Sequence, residues 1–272
     1  MTSIKRRIQS ITHKVFRSCG AKVIPCRFNG VWLKIPIDIW TGFRSSYEPY
    51  MSTAIFENLG KEDTFLDIGA HYGLWSMFAA RIVGSTGSVF SFEPSPAYEQ
   101  LSKSANIYSQ INPIRMGLGD THSELTFYSQ GVATSGSFVE AVTLINQKFQ
   151  SDVPITPQRI PVSTIDHEVS ERKITPKLIK IDVEGFEARV LEGARNTLRD
   201  VDAAWIIEVH PPQLEMTGSS ADEVIRKLKE AGLSVTILDR NPNSLFTVLA
   251  KRTKQSYKEK LGSPMMEEST LG

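Results

Sequence analysis

Thr64-Phe-Leu-Asp-Ile68 runs into Gly69-Ala-His-Tyr-Gly73 and then into the stretch from Leu74 to Val83. The first five residues are a short apolar run that reads as a buried strand, and the last ten have helical spacing with Gly84 where a stop is expected. Strand, glycine-bearing loop and helix in that order open a βαβ unit. Working outward, the alternation continues. Ser88-Val-Phe-Ser-Phe92 is the next strand, and Ser95-Pro96 supplies a cap and a first-turn proline for a helix to about Ser109. Pro113 to Leu118 reads as a third strand.

Further along, Lys177-Leu-Ile-Lys-Ile181 is a strand ending in Asp182, and a helix is expected from Gly185 or Phe186 to about Leu198. Ala203-Ala-Trp-Ile-Ile207 follows, ends in Glu208-Val209-His210 and is stopped by Pro211-Pro212. Ser220 and Glu223 form a capping box before Val224, Ile225 and Leu228, and Gly232 closes that helix. Leu233 to Leu238 and Leu245 to Ala250 are two last strands. Such alternation predicts a mostly parallel sheet covered on both faces, an α/β fold of the doubly wound type. The middle breaks the rhythm. Glu124 to Tyr128 alternates like a hairpin strand, and residues 129–157 are rich in Ser, Thr, Gly and Pro around a short helix near Glu140 to Phe149. That segment is either a functional loop or a surface insertion. Arg159 to Ile165 returns to a strand pattern. The expected organisation is a basic N-terminal helix and extension over residues 1–60, the α/β domain over 61–251, and a flexible tail over 252–272.

The chain has 272 residues, 40% apolar and 22% charged, which is ordinary globular usage and excludes disorder or a disulfide-dense scaffold. No apolar run approaches the roughly 18 residues of a spanning helix. Cys19 and Cys26 are too few for a disulfide framework, so a reducing cytoplasmic compartment is the expectation. A net charge of +1 argues against a nucleic-acid binder. Residues 1–37 nevertheless hold eight Lys and Arg and no acid, leaving −7 on the rest. Ile4, Ile8, Ile11 and Val15 form one helical stripe with Lys5, Arg6, Arg7, Lys14 and Arg17 around it. Such a helix packs its stripe on the domain or lies on an anionic membrane surface, so peripheral membrane contact through residues 1–20 is one expectation.

The loop from Asp67 to Gly73 lets a ligand approach bare backbone at a helix N-terminus. It lacks the Gly-x-Gly-x-x-Gly that seats a pyrophosphate, which leaves a nicotinamide dehydrogenase a remote alternative. An acid, Asp67, instead stands at the strand end, where it suits an ammonium or sulfonium group. Glu93 ends the second strand, where an acid accepts hydrogen bonds from ribose hydroxyls. Asp120 follows the third strand, within reach of an adenine. Three acids at successive strand ends without a pyrophosphate loop point to S-adenosyl-L-methionine as cofactor.

These segments resemble the FkbM-type methyltransferases. The likeness begins at Tyr47-Glu48-Pro49 and runs to about residue 215. It takes in the Asp67–Gly73 loop, Phe92-Glu93-Pro94-Ser-Pro96, Leu178-Ile-Lys-Ile-Asp182-Val-Glu184-Gly185-Phe-Glu187, Val190-Leu191-Glu-Gly193-Ala194 and Ile207-Glu208-Val-His210. His71 stands where the family more usually has asparagine. The resemblance implies a class I, Rossmann-like seven-stranded sheet and an S-adenosylmethionine-dependent O-methyltransferase acting on a sugar or polyketide hydroxyl. Carried over by motif, Asp67, Gly69, Ala70 and Gly73 would line the methionine side of the cofactor, Glu93 would hold the ribose, and Asp120 would lie near the adenine.

A hydroxyl needs a positioned base to become a nucleophile. Asp182 and Glu184 lie two residues apart at one strand end, as do Glu208 and His210 at the next. If those strands are neighbours, four ionisable groups converge beside the cofactor. His210 or Asp182 is the expected base, with Glu184 orienting the hydroxyl. No metal is assigned, although Asp182, Glu208 and His210 form an alternative set for a divalent ion. Lys180 is in phase with Asp182 as a charge partner or leaves the sheet toward solvent. Trp32, Trp75 and Trp205 are expected to pack, and Trp40, near Phe43 and Tyr47, could reach the acceptor. N-methylation of a small molecule or protein and a catalytically silent cofactor-binding scaffold are the other functional readings.

Overall fold

A computed structural model describes residues 14–40, 45–131, 136–147, 153–240 and 245–253. Most of the basic helix (residues 1–13), Phe43, the Trp40 side chain and the tail beyond residue 253 lie outside the described residues. A hairpin of β1 (Val23–Phe28) and β2 (Val31–Pro36) comes first, then the short α1 (Ile37–Trp40) and α2 (Pro49–Asn58). The α/β succession follows: β3 (Thr64–Ile68), α3 (Leu74–Val83), β4 (Ser88–Phe92), α4 (Tyr98–Ala105) and β5 (Ile111–Ile114). Next stand β6 (Gly117–Leu118), β7 (Ser123–Ser129), α5 (Glu140–Gln147), β8 (Thr156–Ser163) and α6 (Ile165–Glu171). The second half holds β9 (Leu178–Ile181), α7 (Glu187–Glu192), α8 (Arg195–Asp200) and β10 (Ala204–Val209). It closes with α9 (Pro211–Met216), α10 (Ala221–Glu230), β11 (Ser234–Arg240) and β12 (Phe246–Lys251).

Seven strands form one sheet in the order β11-β12-β10-β9-β3-β4-β5, with β3, β4, β5, β9 and β10 parallel and β12 antiparallel to both its neighbours. The expected doubly wound sheet is therefore present. The chain winds outward from β3 through β4 to β5, then returns to the other side of β3 with β9. That reversal opens a crevice at the carboxyl ends of the strands. The period of two sorts each strand between two cores. Leu66, Ile68, Ile179, Ile181, Trp205 and Ile207 face the side covered by α7, α8 and α10. Phe65, Val89, Leu178 and Ile206 face α3, and Phe28, Leu33 and Ile35 of the hairpin and Met51 and Ile55 of α2 join that second core.

Several local expectations change in the folded chain. The strand expected over Pro113 to Leu118 splits: β5 ends at Ile114, and Gly117–Leu118 pairs instead with β8 in a separate three-stranded sheet with β7. The helix expected to run to Leu198 breaks at Gly193-Ala194, where Gly193 packs so closely on the Gly119 carbonyl that no side chain fits. Pro211 and Pro212 end β10 but also open α9, since a proline costs nothing in a helix's first turn. Thr164 caps the unforeseen α6 by accepting a hydrogen bond from the His167 N–H at 3.1 Å. Trp75 and Trp205 are buried as expected, whereas Trp32 is 61% exposed because its alternating position on β2 faces solvent. Among the described residues no helix is long and apolar enough to cross a membrane.

The close approach of the first loop to the end of β9 depends on Gly69. Its φ is +76°, and a Cβ there would overlap the Asp182 carbonyl. Gly69→Ala should therefore cost at least about 2 kcal/mol of stability. A thermal melt indistinguishable from wild type would contradict this close packing.

Candidate functional site

Three strands in register carry one polar row through the apolar sheet. Ser91 of β4 lies beside Asp67 of β3, and Asp67 lies beside Lys180 of β9. Asp67 is fully buried and Lys180 is 1% exposed. The Lys180 Nζ donates to Asp67 Oδ1 at 3.2 Å and to the Gly69 carbonyl at 3.0 Å, and it lies 3.4 Å from Asp182 Oδ2. Ser76 of α3 donates to Asp67 Oδ2 at 2.6 Å and meets Ser91 Oγ at 2.8 Å. Burial alone would discharge the lysine, but Asp67 and Asp182 outweigh it and hold the ammonium above its ordinary range. Lys180 is thus a charge partner and does not leave the sheet.

This network decides where Asp67 can act. Each of its oxygens accepts one hydrogen bond from within the sheet, and it does not line the cavity that opens above the strand ends. The carboxylate expected to point at a ligand faces Ser76 and Lys180 beneath the cavity floor. The cavity has a volume of about 340 Å³. From the first loop Gly69 and His71 line it, while Ala70 and Gly73 do not. Glu93 does line it, with Oε2 accepting from the His71 N–H at 2.7 Å and Oε1 from the Ser95 N–H at 2.8 Å. Asp120 does not reach the cavity, because the chain has left the main sheet after Ile114. Met116 and Leu118 line the wall instead.

The other wall is built by β9 and β10, which are adjacent and parallel with Ile181 opposite Ile207. Asp182, Glu184, Glu208 and His210 all line the cavity, so the four groups expected to converge do so. His210 is 2% exposed. Its Nδ1 meets Glu187 Oε1 at 2.7 Å, and its Nε2 lies 3.7 Å from Glu184 Oε2 and 3.9 Å from Asp182 Oδ1. Burial opposes the charged ring, yet Glu187, Glu184 and Asp182 outweigh it and push it up to about 10. Burial and then the Asp182 carboxylate push Glu208 up to about 8, with His210 and Lys180 pulling the other way and Glu48 adding to the rise. Burial raises Glu48 as well, and it raises the Tyr47 hydroxyl, with Glu48 adding to the shift. One triad, Asp182, Glu208 and His210, has ligand atoms all within 4.8 Å of one another, close enough to seat a cation after small side-chain movements.

His71 and Glu184 both have φ of +51°, a region that costs a residue with a Cβ about 1–2 kcal/mol. They stand on opposite walls of the cavity. Tyr47 adds a third wall from outside the α/β succession. Asn29 at the hairpin turn holds it by Nδ2 donating to the Tyr47 carbonyl at 2.7 Å and Oδ1 accepting from the Tyr47 N–H at 3.2 Å. Sequence reasoning missed Glu187, although it sits inside the segment quoted for the resemblance. No spacing rule links it to a histidine 23 residues later.

A seven-stranded sheet of this order, with acids and a glycine loop at the reversal point, defines a class I methyltransferase. The family described as the Methyltransferase FkbM domain matches residues 67–235, more than half of the chain. The chain belongs to the FkbM methyltransferase family and is an S-adenosylmethionine-dependent methyltransferase. A curated relative, the hexuronic acid methyltransferase AglP of Haloferax volcanii, is 26% identical over 197 residues, covering 71% of this chain and 73% of its own. Among solved structures, methyltransferase FkbM from Methylobacillus flagellatus matches with a TM-score of 0.48 and 15% identity, covering 79% of this chain. This chain spans about half of that one, 52%. A SAM-dependent methyltransferase from Aquifex aeolicus matches with a TM-score of 0.44 and 16% identity, over 76% of this chain and 90% of its own.

Two stability predictions follow from the charges. Lys180→Ala strands Asp67 in the sheet without its cation and should cost about 3–5 kcal/mol, read by chemical denaturation. Glu208 keeps its proton in the folded state to about pH 8, whereas the unfolded chain releases it near the ordinary value of 4.5. The folded state therefore binds more protons between those values, and the contribution of Glu208 to stability falls as pH rises through that window. Glu208→Gln should raise the melting temperature by several degrees at pH 8.5 in chelator-containing buffer, and by clearly less at pH 5. An equal gain at both would contradict the buried-carboxylate account.

Proposed function

We propose that the cavity takes S-adenosylmethionine on its Gly69–Glu93 side and an acceptor hydroxyl on its Asp182–His210 side. The chain then methylates a hydroxyl of a glycan, glycolipid or secondary metabolite. One observation carries the reading: a bare glycine loop, a strand-end glutamate and a cluster of carboxylates with His210 share one cavity at the sheet's reversal point. The residues suit the cofactor. Gly69 presents backbone with no side chain, and each Glu93 oxygen holds one backbone N–H and keeps a lone pair for a ribose hydroxyl. Met116 and Leu118 offer apolar surface for a base. The carboxylates of Glu93, Asp182 and Glu184 favour a cationic ligand over a pyrophosphate. The cofactor, when bound, supplies a methyl group on a positively charged sulfur.

The protein's part is orientation and proton removal. As the hydroxyl oxygen becomes an ether oxygen, its proton must leave. His210 is held at Nδ1 by Glu187, and the surrounding Glu187, Glu184 and Asp182 favour its charged form, which makes it the poorer acceptor for that proton. Asp182, paired with Lys180 yet facing the cavity, is the carboxylate that takes it, and Glu184 accepts a hydrogen bond that aims the hydroxyl. The name of the curated relative supports a uronic-acid-containing glycan as the first acceptor class to try. A second reading is favoured by the Asp182, Glu208 and His210 spacing, in which a divalent cation polarises the hydroxyl instead.

Titration calorimetry with S-adenosylmethionine, S-adenosylhomocysteine and NAD tests the cofactor side. Both adenosyl ligands should bind, NAD should not, and Glu93→Ala should weaken binding at least about tenfold, the loss of one good hydrogen-bonded contact. No adenosyl binding would end the reading. Labelled-methyl transfer to a panel of uronic-acid and neutral saccharides, with amines alongside, tests the acceptor side. Asp182→Asn should lower kcat by about 10²–10⁴-fold with cofactor affinity kept. Transfer to amines alone would favour N-methylation, and cofactor binding without transfer to any acceptor would favour a silent scaffold. A rate indifferent to EDTA would remove the cation.

A further inference from the structure

Glu187 is fully buried at the start of α7, yet it is an acid that forms no ion pair with an arginine or lysine among the described residues. Its Oε1 accepts from the Gly185 N–H at 3.0 Å and meets His210 Nδ1 at 2.7 Å. Its Oε2 is sealed from solvent without a hydrogen bond among the described residues. A carboxylate in that position is costly if it serves only to close a turn, because a neutral amide would cap Gly185 as well and bury no charge. The cost is offset if the charge is used, and the group facing it is the His210 ring.

We propose that Glu187 is a positioning residue for the reaction. It fixes His210 through Nδ1, so that the Nε2–H is aimed at the gap between Asp182 Oδ1 and Glu184 Oε2. The buried glutamate, the ring and the two cavity carboxylates then stand in one line from the core to the cavity. In it His210 sets the separation of Asp182, which takes the proton, and Glu184, which aims the hydroxyl. The scaffold behind that line is rigid. His210 directly precedes α9, and the Leu214 N–H donates to its carbonyl at 2.9 Å. Thr217 at the far end of α9 donates to the Gly185 carbonyl at 2.9 Å, and Gln213 packs against Gly185. Helix α9 thus ties the turn that carries Glu187 to the strand end that carries His210. The role of His210 rests on the methyl-transfer reading above, but the hold of Glu187 on the ring does not.

Two measurements separate these levels. Nitrogen-15 NMR of histidine-labelled protein in EDTA, with His210→Gln to assign the signal, should show a slowly exchanging Nδ1–H in wild type. That signal should be lost in Glu187→Ala and weakened in Glu187→Gln, which keeps a neutral acceptor and the cap on Gly185. Unfolding melts and S-adenosylmethionine calorimetry report whether each variant is folded. An unchanged His210 signal in both folded variants would overturn the proposal. In methyl transfer, Glu187→Gln should lower kcat between about 10- and 100-fold with the KM for the cofactor unmoved. Added to His210→Gln, it should cause no further loss. A Glu187→Gln enzyme with wild-type kcat beside an impaired His210→Gln would overturn the positioning role. Wild-type turnover in His210→Gln would instead overturn the catalytic reading of His210, and the NMR result would still decide whether Glu187 holds the ring.

Discussion

The ion pair of Asp67 and Lys180 in the middle of the sheet is the constraint on which the rest of this structure depends. Removing two charges from water is expensive, and their attraction offsets that only when the remaining hydrogen-bonding capacity is filled. Here it is filled from both sides of the reversal point. Asp67 takes Lys180 and Ser76, while Lys180 reaches Asp67, the Gly69 carbonyl and Asp182. The lysine therefore touches the floor of the glycine loop and the first carboxylate of the opposite wall at once. Any shift of β9 against β3 would break this arrangement, so the two halves of the cavity are locked to each other by a group that lines neither.

The strand ends above that lock carry more acids than cations. Glu48, Asp182, Glu184, Glu187 and Glu208 gather around Lys180 and His210; burial is the first cause of the upward displacement of Glu48, Glu208 and the Tyr47 hydroxyl, and neighbouring acids add to it in each. A surplus of negative charge beside a cavity opposes folding when nothing positive enters. It becomes favourable on binding a ligand with a sulfonium or ammonium group, which gains from the same field. The strained backbones of His71 and Glu184 on the two walls have the same character: a cost in the free protein that keeps the walls in place before a ligand arrives.

The large features were legible because they rest on local physics. The strand–loop–helix around Asp67, the capping box at Ser220 and the two-residue spacing of Asp182 with Glu184 and of Glu208 with His210 need only periodicity and turn chemistry. What the sequence could not carry was orientation across the sheet. Asp67 looks identical in sequence whether it faces a ligand or a buried lysine, and only the register of β3 with β9 decides between them. Asp120 stands off the cavity for a similar reason. Nothing in Pro113 to Leu118 announces that two residues after Ile114 the chain will abandon one sheet for another. Glu187 and His210 meet through tertiary packing of α9, which no spacing rule reports.

The cavity also has walls that the shared family segment does not supply. The family match covers residues 67–235, and the cavity-lining residues from Gly69 to His210 fall within it. Tyr47 and Leu245 line the same cavity from outside that range. Tyr47 is not there by chance of a loose loop. Asn29 grips its backbone on both sides, the Asn29 N–H donates to the Ser45 carbonyl at 3.0 Å, and the hairpin that carries Asn29 shares a core with α2 and α3. The N-terminal hairpin is thereby a structural part of the site. The wall that bears the ionisable cluster is thus set by the sheet, and the wall that bears Tyr47 by a separate hairpin packed against α2 and α3.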